Sequence, residues 1–257
     1  MTGTALFPTE QYRVELARSA QDLEAAQRLR YAVFVDELGA GGPRVDHDRR
    51  LERDDWDDAA DHLLLREPSG GEVVGVYRLL RWDRADAAGG YYSAGEYDLA
   101  PLLRSGRRLL ELGRSCIRAD HRGGPALFHL WSGLVAYIRA HRAEVLFGTA
   151  SFHGTDVAAL AGPLSLLYHR HLAPPDLRVR ALPDVFQPMD LVAPETLDRR
   201  AAMRDVPPLI KAYLRLGGHV GEGAFVDRVF NTVDVCLVLD TARVNARQAR
   251  IYGAHPE

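Results

Sequence analysis

The chain has 257 residues, 47% of them hydrophobic and 26% charged, and a formal net charge of −3. That mixture describes an ordinary globular chain with room for a substantial core, and the charge excludes the strong basic footprint of a nucleic-acid binder. No run of about 18 apolar residues is present, which excludes a membrane-spanning helix. The first residues also lack the basic-then-apolar pattern of a secretion signal, so a cytoplasmic protein is expected.

Residues 12–17 alternate in polarity and predict a short strand. Ser19 then opens a helix, with Asp22 three residues on as an imperfect capping box. Leu23, Ala26, Leu29 and Val33 give that helix an apolar face. Residues 39–61 form a loop dense in charge and glycine. Strands are predicted over 62–66 and 72–81, followed by an irregular Gly/Ala/Tyr-rich stretch over 83–100 and a strand over 109–118. The turn ADHRGGP leads into a helix from about 125 to 141, whose stripe is Leu127, Leu130, Trp131, Leu134 and Ile138. A strand at 144–151 and a helix at about 155–171 come next. Residues 174–206 are proline-rich, and no element is assigned there. A short helix or turn at 207–216 and a final strand at 230–240 complete the order. This is an α+β or mixed α/β arrangement. Cys116 and Cys236 sit in apolar runs without metal-ligand spacing and are expected to be buried thiols.

Four stretches carry candidate chemistry. RADHRGGPA (118–126) lies between a strand and a helix. Backbone N–H groups at a helix start hold anions, and glycines let a phosphate approach. Arg118, Arg122, Gly123 and Gly124 could form such a cradle, or a plain glycine turn. In ELGRSCIR (111–118), Glu111 and Arg114 are charges in an apolar strand, which must find partners there. On a regular strand they face opposite ways; a bulge at Gly113 would bring them to one face. The acidic run over 46–61 is either a solvated loop or a receptor for a cation, and Trp56 within it favours a packed loop. Tyr168, His169 and His171 could protonate a leaving thiolate or could simply pack. No His/Cys/Asp set has metal-ligand spacing, so no metal is expected.

Taken together, RLRYAVFVDELG (28–39), ERDDWDDAADHLLL (52–65), VVGVYRLLR (73–81), ELGRSCIRADHRGG (111–124), GTASFHGTD (148–156) and PPLIKAYLRLGGHVGEGAFVDRVFNTVDVCLVLD (207–240) resemble the L-ornithine Nα-acyltransferase family, which has also carried a haemolysin label. The pattern is more distantly similar to acyl-homoserine-lactone synthases. The resemblance implies a GNAT-like N-acyltransferase fold, with a central, mostly antiparallel sheet flanked by helices. It implies one domain over 1–257, with a C-terminal extension from about 174 packed on the core.

The resemblance also implies a reaction: transfer of a (3-hydroxy)fatty acyl group from acyl-carrier protein to the α-amine of ornithine. No cofactor is implied beyond the carrier's phosphopantetheine arm. Site residues carried over from the more distant family are Arg30 and Phe34 in the first helix, Asp54 and Asp57 in the acidic loop, Arg78 in a strand, and the pair Glu111 and Arg114. Glu111 is expected to act as base, with backbone N–H groups at the bulge holding the oxyanion. Asp54 and Asp57 are expected to receive the ornithine ammonium, and Arg30 or Arg78 its carboxylate. The turn at Arg122-Gly123-Gly124-Pro125-Ala126 departs from the usual GNAT phosphate loop, which suits a single phosphopantetheine phosphate. Peripheral contact with the inner face of a membrane is expected for product release. Three alternatives remain: a lactone synthase that uses S-adenosylmethionine as the amine, a membrane-active haemolysin-like protein, and an N-acyltransferase for another amino acid. The long FNTVDV-containing extension argues against the first. The lack of a basic amphipathic helix argues against the second.

Overall fold

The computed structural model describes residues 7–8, 12–42, 44–67 and 71–244. The main elements in chain order are β1 (Arg13–Leu16), α1 (Ala20–Arg30), β2 (Asp61–Arg66), β3 (Val73–Arg81), β4 (Leu109–Ile117), α2 (Ala126–His141), β5 (Val145–His153), α3 (Ala161–His171), α4 (Arg199–Asp205), α5 (Pro208–Arg215), β6 (His219–Val220), β7 (Phe225–Asp227) and β8 (Thr232–Asp240). Among the described residues no helix is long and apolar enough to cross a membrane. The chain divides into two compact units. Among the described residues, the first comprises those up to Gly89 with Leu112–Arg142, and the second Gly90–Glu111 with Ala143–Val244. Strand β4 contributes to both.

In the first unit, β1 pairs antiparallel with β2, and β2 with β3, with a register shift at Leu65/Arg66; the C-terminal part of β4 follows β3. The capping box at α1 is complete: the Ser19 hydroxyl accepts from the Asp22 N–H at 3.1 Å, and the Asp22 carboxylate accepts from the Ser19 N–H at 3.2 Å. The helix does not stop where its α-periodicity does. It continues as a π-helix over Tyr31–Glu37, a widened form that recurs at functional sites. Phe34 in this segment packs on a core cluster of Ala26, Leu29, Val33, Leu64, Val76 and Cys116. The expected loop over 39–61 contains two short paired strands, Val45–Asp46 and Leu51–Glu52.

Helix α2 approaches the sheet at a glycine. A Cβ on Gly133 would lie 2.3 Å from Val14 Cγ1. A β-branched valine on a strand has little rotamer freedom with which to yield. Gly133→Ala is therefore expected to destabilise the protein by about 1–3 kcal/mol despite alanine's better helix propensity. A thermal melt no lower than wild type would contradict this packing.

In the second unit, β8 and β5 pair antiparallel along their full nine-residue lengths, from Val145 opposite Asp240 to His153 opposite Thr232. β6 and β7 also pair with β8. The parallel ladder between β4 and β5 covers Leu109–Glu111 against Val145–Phe147. Helix α3 begins at Ala161, later than expected, because the Asp156 carboxylate accepts from the N–H groups of Ala158 and Ala159 and holds a turn first. The proline-rich stretch yields α4, capped by Asp198, which accepts from the N–H groups of Arg200 and Ala201. The expected extension from 174 belongs to this second unit, together with Gly90–Glu111 and residues 143–173.

Candidate active site

Five of the expected site residues meet in the first unit in one buried network. Arg30, at the end of α1, donates from Nε to Glu52 and from Nη1 to Asp57 Oδ1 at 2.7 Å. Arg78 on β3 donates to Asp54, and to Asp57 Oδ1 at 3.1 Å. Arg114 on β4 donates from Nε to Glu52 Oε1 at 3.1 Å and from Nη2 to Asp54 Oδ2 at 2.9 Å. The contacts close a ring of alternating charge: Glu52, Arg30, Asp57, Arg78, Asp54, Arg114 and back to Glu52. Gln27, one turn before Arg30, donates to Asp57 Oδ2 at 2.9 Å. His62, opposite Arg78 in the ladder, has Nε2 2.9 Å from the Asp57 carbonyl. Glu52 lies in the acidic run but nothing in its spacing distinguished it. Only its position on the short strand Leu51–Glu52, below Arg30 and Arg114, gives it a role.

The ring is electrostatically self-sufficient. Burial alone would raise the Asp54 and Asp57 carboxyls. The guanidiniums of Arg78 and Arg114 outweigh it for Asp54, and those of Arg30 and Arg78 for Asp57, so both are held below the usual carboxylate range. Burial works to lower Arg30, but Glu52 and Asp57 overcome it and raise its pKa. A carboxyl depressed in the fold contributes stability above its unfolded value and loses it as pH falls through its folded value. Unfolding midpoints are thus expected to be maintained down to about pH 4 and to fall below it. Asp57→Asn should flatten the acid limb; an acid limb as steep as wild type's would remove Asp57 from the linkage.

The consequence for ligand binding is specific. Arg30 has no exposed area, so it cannot meet a carboxylate without rearrangement; it organises Glu52 and Asp57 instead. Asp54 and Asp57, expected to receive an ammonium, already face arginines. They also line an open cleft of about 730 Å³ with five aspartates against Arg44 and Arg53.

The backbone irregularity expected at Gly113 falls one residue later. Arg114, not Gly113, has the left-handed φ of +51°, a conformation that costs a non-glycine residue about 1–3 kcal/mol. The contacts to Glu52 and Asp54 hold it there. A Cβ on Gly113 would lie 3.7–3.8 Å from the Arg78 guanidinium, an ordinary contact, so packing does not demand a glycine there.

Glu111 belongs to the second unit and is 5% exposed. Its Oε2 accepts from the Tyr92 N–H at 2.9 Å and its Oε1 from the Ser93 N–H at 2.7 Å. The carboxylate therefore suspends the turn Tyr92–Gly95, in a stretch the sequence left irregular.

The turn before α2 has Gly123 at φ +75° and no side-chain cap on the helix, leaving first-turn N–H groups for a ligand. Its arginines are engaged. Arg118 pairs with Glu67 at 2.6 Å, Glu72 at 2.7 Å and Asp120 at 2.8 Å. Arg122 grips Glu37 with both terminal nitrogens and donates from Nε to the Ile117 carbonyl at 2.8 Å. His169 of α3 has Nε2 2.9 Å from the Val192 carbonyl, the satisfied packing role.

A mixed sheet flanked by helices, with a left-handed residue in the strand that carries a buried glutamate, fits the GNAT class of N-acyltransferases. The Acetyltransferase (GNAT) domain family matches residues 29–132. The crystal structure of the AHL synthase LasI shares the fold, with a TM-score of 0.51 at 16% identity over 96% of this chain and 97% of that one. Along nearly the whole chain the similarity is closer. It is 59% identical over 246 residues to an L-ornithine N(alpha)-acyltransferase of Rhodobacter capsulatus, covering 94% of each chain. It is 43% identical to one of Brucella abortus, covering 94% of this chain and 88% of that one. The chain belongs to the L-ornithine N(alpha)-acyltransferase family.

Proposed function

We infer that this protein transfers a (3-hydroxy)fatty acyl group from acyl-carrier protein to the α-amine of L-ornithine, giving lyso-ornithine lipid. The observation that carries the reading is 59% identity over 246 residues to a curated L-ornithine N(alpha)-acyltransferase. The neutral α-amine attacks the thioester carbon, the C–N bond forms and the C–S bond breaks. Glu111 takes the amine proton, and the pantetheine thiolate leaves and is protonated. Backbone N–H groups at the bulge hold the oxyanion. Arg114 is a positioning residue for that bulge. Arg78, Asp54, Asp57 and Arg30 brace the acceptor side as a charge ring, and Phe34 contributes to the apolar lining for the acyl chain. Arg118, Arg122, Gly123 and Gly124 take the phosphate of the carrier's arm. The product is a single-chain amphiphile, so its release calls for transient contact with the inner face of a bilayer.

The test is acyl transfer by purified protein, with products identified by mass spectrometry. Ornithine should be acylated from the carrier protein faster than from acyl-CoA; equal kcat/KM for the two donors would overturn the carrier assignment. Lysine, one methylene longer, should be about 10–200-fold poorer than ornithine. S-adenosylmethionine outperforming ornithine would instead support a lactone synthase.

A further inference from the structure

The acidic ring in the first unit is balanced by three arginines, so the distal ammonium of ornithine requires a different anion. The second unit holds a separate buried cluster. Glu96, Asp227 and Asp234 each bring a carboxylate oxygen within 4.8 Å of the others, and each is at least nine-tenths buried. Among the described residues Asp227 forms no ion pair. Carboxylates packed this closely out of water repel one another, and a cation among them would relieve that repulsion.

A second observation points to a ligand. Thr232 is 7% exposed, and its hydroxyl is buried with no hydrogen-bond partner among the described residues. Thr232 stands opposite Asp227 across the β7–β8 hairpin and two residues before Asp234 on β8, so all three share one face. A buried hydroxyl left without a partner is costly, and a ligand that donates a hydrogen bond would recover that cost.

We propose that Glu96, Asp227 and Asp234, with the Thr232 hydroxyl, form the subsite for the distal ammonium of the acceptor. The ammonium's three N–H donors would go to the Thr232 hydroxyl and two of the carboxylates, with the third carboxylate facing its charge; oxygens at about 2.8 Å from a tetrahedral nitrogen lie about 4.6 Å apart, within the bound observed for the carboxylates. The subsite is also pre-formed. Asp227 Oδ1 accepts from the N–H groups of Val229 at 2.7 Å and Phe230 at 2.9 Å, which fixes its carboxylate in the hairpin turn. Glu96 follows the turn Tyr92–Gly95 that Glu111 suspends, and its N–H returns to the Ser93 carbonyl at 3.1 Å. Register places Glu111 on the same sheet face: Glu111 pairs with Phe147, Phe147 with Val238, and Val238 lies an even number of residues from Asp234. Tyr97, whose hydroxyl donates to the Asp234 carbonyl at 3.0 Å, is raised well above its usual pKa, first by burial and then by Cys236, Glu96 and Asp234, consistent with negative potential there.

The inference rests on ornithine being the acceptor. Its test is the ratio of kcat/KM for ornithine to that for norvaline, which has the same chain but lacks the distal amine, with one acyl-carrier donor. Wild type should favour ornithine by about 10³-fold or more, because norvaline leaves the carboxylates without a cation. Asp234→Asn should reduce the ratio by about 10²-fold and the isosteric Thr232→Val by about tenfold. Should Asp234→Asn fail to fold by circular dichroism, Thr232→Val decides. Ratios unchanged in the folded variants, with wild type active on ornithine, would overturn the subsite alone. Wild type that forms no acyl-ornithine would overturn the acceptor reading and the subsite with it. Millimolar calcium or manganese that raises the melting temperature of wild type but not of Asp234→Asn would assign the cluster to a metal instead.

Discussion

Glu111→Gln is expected to reduce kcat by about 10²–10⁴, the scale of losing a general base. The substitution is not silent structurally. Each carboxylate oxygen accepts a backbone N–H, from Tyr92 and from Ser93, and a carboxamide has only one acceptor oxygen. One hydrogen bond is lost and a donor faces a donor, which should cost about 1–3 kcal/mol. The two roles separate in the pH profile. Without a base, only the fraction of acceptor that arrives already neutral reacts, so kcat/KM should continue to climb with pH toward the amine's own pKa. Loosening of the turn alone would lower the whole profile without changing its shape. A variant within tenfold of wild-type kcat would remove Glu111 from the chemistry and leave it as the anchor of the turn.

The second large effect is expected at Arg30. Arg30→Met removes the guanidinium that joins Glu52 to Asp57 and leaves both carboxylates buried with one ring partner fewer. Breaking a buried ion network from one side costs about 3–5 kcal/mol. For a chain of this size that is a drop in melting temperature of roughly 6–20 °C. Arg30→Lys should recover only part of it, since a single ammonium cannot serve two carboxylates in different directions. A melt within about 2 °C of wild type for Arg30→Met would show that the ring is not what holds α1 against the acidic turn.

The elements set by local chemistry were legible in the sequence: the Ser19–Asp22 cap, the helix stripe from Leu127 to Ile138, and the strands that carry Arg78, Glu111 and Cys236. The membership of the ring was legible through resemblance for Arg30, Asp54, Asp57, Arg78 and Arg114, but not its function. Whether an aspartate waits for a ligand or faces an arginine depends on chains that meet from residues 27 to 114, and no local pattern encodes that. Glu52 was hidden among its acidic neighbours for the same reason. The π-helix was missed because Tyr31–Glu37 differs from an α-helix by hydrogen-bond register, not by composition. Glu96, Asp227 and Asp234 were invisible because more than 130 residues separate the first from the others, and each looks like a turn or strand-edge acid on its own.

If Arg118 and Arg122 take the donor's phosphate as proposed, their ion pairs bear on traffic through that site. Arg118 and Arg122 are not bare cations: Glu67, Glu72 and Asp120 surround one and Glu37 holds the other. Any phosphate that takes them must first evict a carboxylate, and exposed pairs of this kind are worth only about 0–1 kcal/mol each. The exchange is thus nearly neutral in free energy. Free phosphate or a loose nucleotide, which brings little beyond its charge, gains almost nothing by entering. A phosphate delivered on a pantetheine arm brings further contacts along the arm and the carrier surface, and those decide occupancy. On that reading, carboxylates that return once the acyl group has gone would help to expel the spent arm, so the same side chains that screen entry would also shorten the stay.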